Sequence, residues 1–303
     1  MKKQRKDIYQ VITNQVIEGL QKVGLDWFKS WSCKDAIAIN HVSGKLYKGI
    51  NQLFLGFKTM DMGYTSGEFM TYKQAQNLGG QVRKGEKSTT IIFWNISYYT
   101  IDGNGEKTYY KRTEDIPKGV GYNKSMFPRA YSVFNVDQIE GIEPKHEKSK
   151  VVEGTIFEPI KRADNIYKKM RKSPSLYHMG ANAFYNPQAH AVTMPKKESF
   201  ISSDDYYKVL FHELVHSTGH KDILNRGLVG VTKNKIKYSK EELVAELGAM
   251  FLVGVLDLKP KDDEKNSQAY INGWISYLKN NPKEIISASS QATKSVEYIL
   301  NKK

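Results

Sequence analysis

Residues 203–219 constrain this chain more than any other segment, because they place two histidines inside an apolar helical pattern. His212 and His216 are four residues apart, so a helix puts both imidazoles on one face, where they can bind a single metal ion. Ser202 or Ser203 can cap the start of this helix. The apolar residues that would bury it are Val209, Leu210, Leu214 and Val215. The pattern predicts a metal-binding helix.

Glu213 follows His212 directly, one step round the helix from the histidine pair. That offset makes it a poor third ligand but places it well to take a proton from an attacking water. We therefore predict that Glu213 is the catalytic base and that the ion is Zn²⁺. The alternative is a pair of half-buried histidines beside an exposed glutamate, with no metal.

A zinc site of this kind needs a third protein ligand, and three residues compete for that role. Glu242 opens a later helical segment, with Glu246 four residues further on the same face. That spacing fits one carboxylate on the metal and a second one that orients a histidine from outside. Asp222 has the spacing at which the metzincin pattern sets its third histidine. His220 is the third candidate, although the chain would have to curl back to bring it in.

The composition describes a folded protein with a basic excess. The chain has 303 residues, of which 40% are hydrophobic, and no apolar run reaches the roughly 20 residues that span a bilayer. Lys and Arg total 46 against 32 Asp and Glu, a net charge of +14. Such an excess indicates either a nucleic-acid partner or a merely soluble surface. Cys33 is the only cysteine, and the first residues are basic without an apolar signal core, so we expect a cytoplasmic protein that does not bind membranes.

The hydrophobic pattern predicts an α+β protein of two domains. In the first half it predicts helices at 7–23 and 71–78 and strands at 88–99, 107–112 and 130–136. In the second half it predicts a small β-hairpin around 186–195 and helices at 158–171, 203–219, 240–256, 264–279 and 282–301. A polar, charged stretch separates the halves. We place a first domain at 1–145, a linker at 146–156 and a mainly helical second domain at 157–303.

The first half has the residue types that bind single-stranded DNA, namely cations for the phosphates and flat rings for the bases. Several of these residues flank glycines or begin strands, where a ligand can approach the backbone. The predicted contacts are Tyr47, Lys48, Asn51, Arg83, Lys84, Lys87, Trp94, Arg129 and Tyr131. The alternatives are a core position for Phe93 and Trp94, at least one of which must be buried because they alternate faces on one strand, and a merely solvated turn at Lys84 and Lys87.

At this level of detail the chain resembles the ArdC-type antirestriction proteins. The matching segments are Asn40, 43–51 (SGKLYKGIN), 71–75 (TYKQA), 79–87 (GGQVRKGEK), 131–139 (YSVFNVDQI), 211–220 (FHELVHSTGH) and 241–249 (EELVAELGA). The resemblance implies an N-terminal domain that binds single-stranded DNA, a C-terminal zincin-like metallopeptidase domain, and Glu242 as the third ligand. Residues 97–127 match no segment of the family pattern.

Two classes of function follow from these expectations. The preferred one is a protein of a mobile genetic element that binds single-stranded DNA and uses a zinc-dependent peptidase site to protect incoming DNA, acting on a protein substrate that the sequence does not identify. The alternative is a DNA-binding protein whose zincin domain is catalytically idle. The presence of Glu213 favours activity, because a structural zinc site has no need of a base. The oligomeric state is not predicted.

Overall fold

A computed structural model of the chain describes residues 8–23, 37–145, 157–200, 202–258, 260 and 264–302. Cys33 and the predicted linker at 146–156 lie outside these ranges. Within them, no helix combines the length and the apolar character that crossing a bilayer requires.

In the residues that the structure describes, the first half combines three helices with a mixed sheet. The helices are α1 (Ile8–Val23), α2 (Ile50–Asp61) and α3 (Tyr72–Asn77). The strands are β1 (Ile39–Asn40), β2 (Glu68–Met70), β3 (Gln81–Val82), β4 (Thr89–Ile101), β5 (Lys107–Tyr110), β6 (Asn123–Asn135) and β7 (Ile139–Glu140). Five of them form a sheet in the order β1-β2-β6-β4-β5, in which only β1 and β2 are parallel, and β3 pairs with β7.

A long ribbon of β4 and β6 dominates this sheet. The two strands are antiparallel, in register from the Thr89–Val133 pair to the Tyr99–Asn123 pair. Strand β6 is much longer than predicted, because the polar start of the strand and Pro128 gave no strand signal. Pro128 is tolerated because β2 pairs with β6 only at its far end, so the proline faces no second strand.

Helix α2 was not predicted, and it is what docks the ribbon onto the rest of the molecule. The Asn51 side chain donates to the backbone oxygen of Ile92 at 2.7 Å and accepts from the backbone nitrogen of the same residue at 2.8 Å. Leu53 and Phe54 on the same helix are buried. The helix was not predicted because Tyr47, Lys48 and Asn51, at or just before its start, were interpreted as exposed DNA contacts.

The second half is mainly helical, with a small sheet, as predicted. Its helices are α4 (Phe157–Lys169), α5 (Ser203–Thr218), α6 (Lys235–Leu256), α7 (Glu264–Asn280) and α8 (Glu284–Ile299). Strands β8 (Ser175–His178), β9 (Phe184–Asn186) and β10 (Ala191–Met194) form a sheet in the order β8-β10-β9. Strand β9 is therefore an edge strand.

The two halves share one buried core. Its largest cluster of side chains joins Ile12, Leu20 and Ile92 of the first half to residues such as Phe211 and Leu278 of the second half. The Thr13 hydroxyl also donates to the backbone oxygen of Pro282, at 2.5 Å. The boundary at residues 145–157 stays a prediction, and any fragment cut there would expose this shared apolar surface.

Candidate metal centre and nucleic-acid surface

Helix α5 presents His212 and His216 on the same face, as the spacing predicted. The helix begins at Ser202, whose hydroxyl accepts a hydrogen bond from the backbone nitrogen of Asp205 at 3.2 Å. Asp204 and Asp205 lie in the first turn, where carboxylates stabilise the positive end of the helix dipole. The local sequence therefore accounts for both the start of the helix and the face it presents.

The two imidazoles converge with Glu242 of α6 around one point. The Nε2 atoms of His212 and His216 lie 3.1 Å apart. One Glu242 carboxylate oxygen lies 3.5 Å from the Nε2 atom of His212, and the other lies 3.5 Å from the Nε2 atom of His216. One donor atom from each of the three residues falls within 4.8 Å of the others. Two imidazoles and a carboxylate at these separations suit a divalent metal ion.

Each histidine is held at its other nitrogen by a further glutamate of α6. The Nδ1 atom of His212 lies 3.2 Å from Glu246, and that of His216 lies 3.1 Å from Glu241. A carboxylate at Nδ1 fixes the proton there and leaves Nε2 free to bind a metal. Glu246 therefore has the position expected of an orienting carboxylate.

Sequence reasoning missed Glu241 as a partner of His216. Glu241 is only 6% exposed, so it does not lie in a solvated turn of the helix. Only the packing of α5 on α6 shows which glutamate meets which histidine.

Arg226 completes this arrangement from the loop after α5. Its guanidinium donates to both Glu241 oxygens, at 2.6 and 2.9 Å. It also donates to the backbone oxygen of Val215 at 2.8 Å and to the hydroxyls of Thr218 and Ser295. A bidentate arginine fixes the plane of a carboxylate, so Arg226 holds Glu241 in place for His216.

Two glycines allow these elements to approach closely. A Cβ atom on Gly248 of α6 would lie 2.6 Å from Val215 of α5. A Cβ atom on Gly219, at the end of α5, would lie 2.6 Å from Leu228 and 3.0 Å from Arg226. A side chain at position 248 would collide with Val215, and one at position 219 would require Leu228 to move, so both glycines favour the close approach of α6 and of the Arg226 loop to the histidines.

Glu213 opens into the same cavity as the three donor residues. This cleft of about 570 Å³ is lined by residues 183–188, by residues 228–232, and by His212, Glu213 and His216 of α5. Burial raises the pKa of Glu213, while the neighbouring histidines and a hydrogen bond from the backbone of Tyr185 act to lower it. The carboxylate is thus beside the donor atoms and is held by the edge strand β9.

The charged groups of the centre stabilise one another. Burial lowers the pKa of His212, but the carboxylates of Glu246 and Glu242 more than offset this, and the pKa lies well above its usual value. Burial raises the pKa of Glu242, but contacts with the two histidines leave it far below the usual value. Burial raises the pKa of Glu246 too, but His212, with a smaller contribution from Lys208, leaves it lowered. The donor set thus includes an ionised carboxylate, which suits a cation.

The other two candidates for third ligand lie elsewhere. Asp222 is exposed, and its carboxylate is 3.7 Å from the Nδ1 atom of His220. The ring of His220 packs against His190, with centroids 4.4 Å apart. Neither residue belongs to the group of converging donors, so the geometry favours Glu242.

Two of the predicted DNA contacts are buried inside the protein, and a third, Lys48, is paired on the surface. Tyr47 is buried, and its hydroxyl accepts from the side chain of Asn40 at 3.1 Å. Asn51 is buried in its bidentate contact with β4. The Nζ atom of Lys48 pairs with Glu297 of α8. Burial contradicts the prediction for Tyr47 and Asn51, whereas Lys48 is exposed and its contact with DNA stays a prediction. Gly49 approaches α8, and its backbone nitrogen donates to Thr293 at 3.0 Å.

The basic turn between β3 and β4 remains on the surface. Lys84 and Lys87 are exposed. Arg83 pairs with Glu86 at 2.9 Å, so part of its charge is neutralised within the turn. The two lysines are the better candidates for phosphate contact.

The remaining three predicted contacts lie on the β4–β6 ribbon, on opposite faces. Cross-strand partners share a face, so the Phe93–Arg129 and Ile91–Tyr131 pairs place Arg129 and Tyr131 together. Trp94 pairs with Pro128 on the other face, where its ring lies 6.3 Å from that of Tyr9. Phe93 and Trp94 do alternate faces, but neither is fully buried. A strand of DNA lying on one face cannot contact all three residues.

Three features together define a zincin-like metallopeptidase domain. They are a helix with the histidine–glutamate motif, a glutamate from the following helix, and a cleft beside an edge strand. Sequence comparison agrees, because residues 161–291 match the family described as zincin-like metallopeptidase. Residues 6–134 match the family described as the N-terminal domain of anti-restriction factor ArdC.

Similar proteins connect the two domains. The chain is 33% and 32% identical to two Escherichia coli proteins named DNA primase TraC, over 98% of its own length in both cases, and it spans 20% and 27% of theirs. It is 31% identical to the protein y4eC of Sinorhizobium fredii, over 97% of this chain and 91% of that one. The crystal structure of metal-free antirestriction protein ArdC from plasmid R388 is similar with a TM-score of 0.74 and 29% identity, over 98% of this chain and 99% of that one. Its Mn(II)-bound form gives a TM-score of 0.74 at 28% identity, over 97% of both chains. The chain belongs to the ArdC-type antirestriction family.

Proposed function

We propose that this protein binds single-stranded DNA of a mobile genetic element and protects it on entry into a cell, using a zinc-dependent peptidase site. The observation that carries the peptidase part is the convergence of His212, His216 and Glu242 in the cleft that also contains Glu213. Family membership supports the antirestriction part. The names of the relatives, a plasmid-derived antirestriction protein and two DNA primases, support a role on DNA.

His212, His216 and Glu242 would hold the ion. Three protein ligands, of which two are imidazoles, are typical of catalytic zinc sites, which keep a further position for the reaction. The chemistry that the ion supplies when bound is Lewis acidity toward water and toward the carbonyl of the scissile bond. Mn²⁺ is the second ion to test, because a similar ArdC protein has an Mn(II)-bound structure.

Glu213 would carry the proton. In peptide hydrolysis, the water oxygen bonds to the carbonyl carbon, the carbon–nitrogen bond breaks, and a proton reaches the leaving amine. Glu213 can take that proton from the water and deliver it to the nitrogen. The hydrogen bond from the backbone of Tyr185 would keep its carboxylate turned toward the cleft.

The edge strand β9 gives the cleft a place for an extended substrate. It pairs with β10 on one side only, and residues of this strand line the cleft. A polypeptide that added to this edge would lie beside Glu213. The substrate we propose is therefore a protein segment in extended form.

The proposal is tested by plasmid transfer into recipients with an active restriction system, comparing the wild type with Glu213→Gln. We expect the variant to lose protection while it still binds metal and single-stranded DNA, because it lacks only the proton carrier. Full protection by Glu213→Gln would favour the second candidate, a DNA-binding protein with an idle zincin domain. Such a protein, like the active one, would meet incoming DNA in the cytoplasm.

A further inference from the structure

One face of the β4–β6 ribbon, extended by β5, carries a row of aromatic rings with basic residues among them. We propose that this face is where single-stranded DNA binds, which rests on the proposed DNA-binding function and assigns it a surface. The aromatic face, as we call it, consists of Phe93, Tyr99, Lys107, Tyr109, Phe127, Arg129 and Tyr131.

Strand register places these residues on one side of the sheet. Along β4 the residues alternate faces, so Phe93 and Tyr99 point the same way. Cross-strand partners lie on the same face of a sheet. Arg129 lies opposite Phe93 and Tyr109 opposite Tyr99, so both belong to this face. From Phe93 to Tyr99 the row is about 20 Å long at the usual rise per strand residue.

The rings of this face are open to solvent. Phe93 is 50% exposed, Phe127 49% and Tyr109 60%. Phe93 meets Tyr131 edge to face, with ring centroids 5.5 Å apart. Exposed rings grouped in this way on a protein surface mark a binding site, because in water alone they have no partner on which to stack.

Basic groups lie directly over two of the rings. The Nζ atom of Lys107 is 4.9 Å from the centre of the Tyr99 ring, and the guanidinium of Arg129 is 5.7 Å from that of Tyr131. The strands β4, β5 and β6 contain no aspartate or glutamate, and their charged residues, Lys107, Lys124 and Arg129, are all basic. Rings for bases beside cations for phosphates are the two components of a single-strand binding surface.

Charge also argues against a second copy of this chain as the occupant. In a two-fold symmetric dimer formed through this face, the aromatic face of one copy would lie against the aromatic face of the other. Arg129 and Lys107 of the two copies would then lie close together with no carboxylate on the strands to separate them. Duplex DNA fits poorly as well, because its bases are already stacked and cannot lie on the rings.

The opposite face of the same ribbon provides the control. There Trp94 packs against Tyr9 of α1, Tyr98 meets Tyr122 edge to face, and the exposed side chains of Ile96 and Met126 are not aromatic. Ile96 pairs with Met126 across the strands, one residue along the ribbon from the Asn95–Phe127 pair. Substitutions on the two faces thus remove similar exposed apolar groups from the same strands.

The experiment measures binding of a fluorescent oligo-dT to the full chain by anisotropy. The full chain is used because the two halves share a core. We expect Phe93→Ala, Phe127→Ala and Tyr109→Ala each to weaken binding by roughly 5- to 150-fold, the range given by loss of one stacked base. The matched controls Ile96→Ala and Met126→Ala should change it by less than about twofold. Thermal unfolding of all five variants confirms that each is folded.

The remaining outcomes would each contradict the proposed DNA-binding surface, and they can be told apart. If the wild type does not bind the oligonucleotide, both the DNA-binding function and this surface are wrong. If the wild type binds but the three ring variants bind equally well, or the controls lose as much, the function stands and the surface is wrong. If the ring variants instead abolish a concentration-dependent dimer seen by ultracentrifugation, without affecting DNA binding, the face is a self-association surface.

Discussion

The metal centre and the aromatic face hold their functional groups in opposite ways. In the centre, each histidine is fixed by a glutamate, and Glu241 is fixed in turn by Arg226. On the aromatic face, most of the rings are exposed, and the contacts among them are the pairs Phe93–Tyr131 and Tyr99–Tyr109. Buried, connected groups should respond to substitution as a unit, whereas exposed groups should respond one at a time.

The largest effect should come from removing a histidine of the centre. We expect His212→Ala or His216→Ala to abolish stoichiometric zinc, because only one imidazole and one carboxylate would remain. Glu213→Gln should keep the metal, because Glu213 would serve the proton and not the ion. Elemental analysis of the purified variants measures this. Loss of zinc from Glu213→Gln would mean that this residue is a ligand.

The next effect tests whether the centre behaves as a unit. Arg226→Ala removes a buried guanidinium and leaves the Glu241 carboxylate buried without its strongest partner. Breaking such a pair costs about 3–5 kcal/mol of folding free energy. We expect a lower unfolding temperature and weaker zinc binding, since His216 loses a fixed partner. Chemical denaturation with and without zinc measures both quantities.

Rescue separates an electrostatic role of Arg226 from simple filling of space. Arg226→Lys retains the charge but not the two-pronged contact with Glu241. It should recover part of the stability and less of the zinc affinity. If Arg226→Met recovers the stability and the zinc affinity as well as Arg226→Lys does, the role of Arg226 is only to fill space.

A smaller effect should order the acidic residues around the ion. We expect Glu242→Ala to weaken zinc more than Asp222→Ala, because only Glu242 lies with the histidine Nε2 atoms. Glu246→Ala should fall between them, at about 10–100-fold, the usual cost of removing a partner that orients a ligand. Chelator competition gives the order. A larger loss from Asp222→Ala would move the site to the loop after α5.

The two regions also differ in how far sequence reasoning reached. His212, Glu213, His216, Glu242 and Glu246 were predictable because helical spacing fixes which side chains share a face. Glu241 and Arg226 were not, because their roles depend on how closely α5, α6 and a loop pack, which Gly219 and Gly248 permit. On the ribbon, Tyr131 and Arg129 were predicted, but their separation from Trp94 depends on the register of β4 with β6. Residues 97–127, which matched no family pattern, form the outer part of that ribbon.

The smallest effect should come from the basic turn, which lies at the start of β4 and tests how charge adds to stacking. Lys84 and Lys87 are exposed, and phosphate contacts there would release counterions from a single strand with a log–log salt slope of about −0.7 per contact. We expect the double variant Lys84→Glu, Lys87→Glu to weaken oligo-dT binding several-fold at low salt and to flatten the slope. Tyr131→Ala should weaken binding with little change in slope, because stacking is uncharged.

Charge reversal of Lys168 and Lys169 on α4 is the matched control, since it changes the net charge by the same amount but in the second half. If that control flattens the slope as much, the excess of basic residues acts as a diffuse field, and the turn makes no contact of its own.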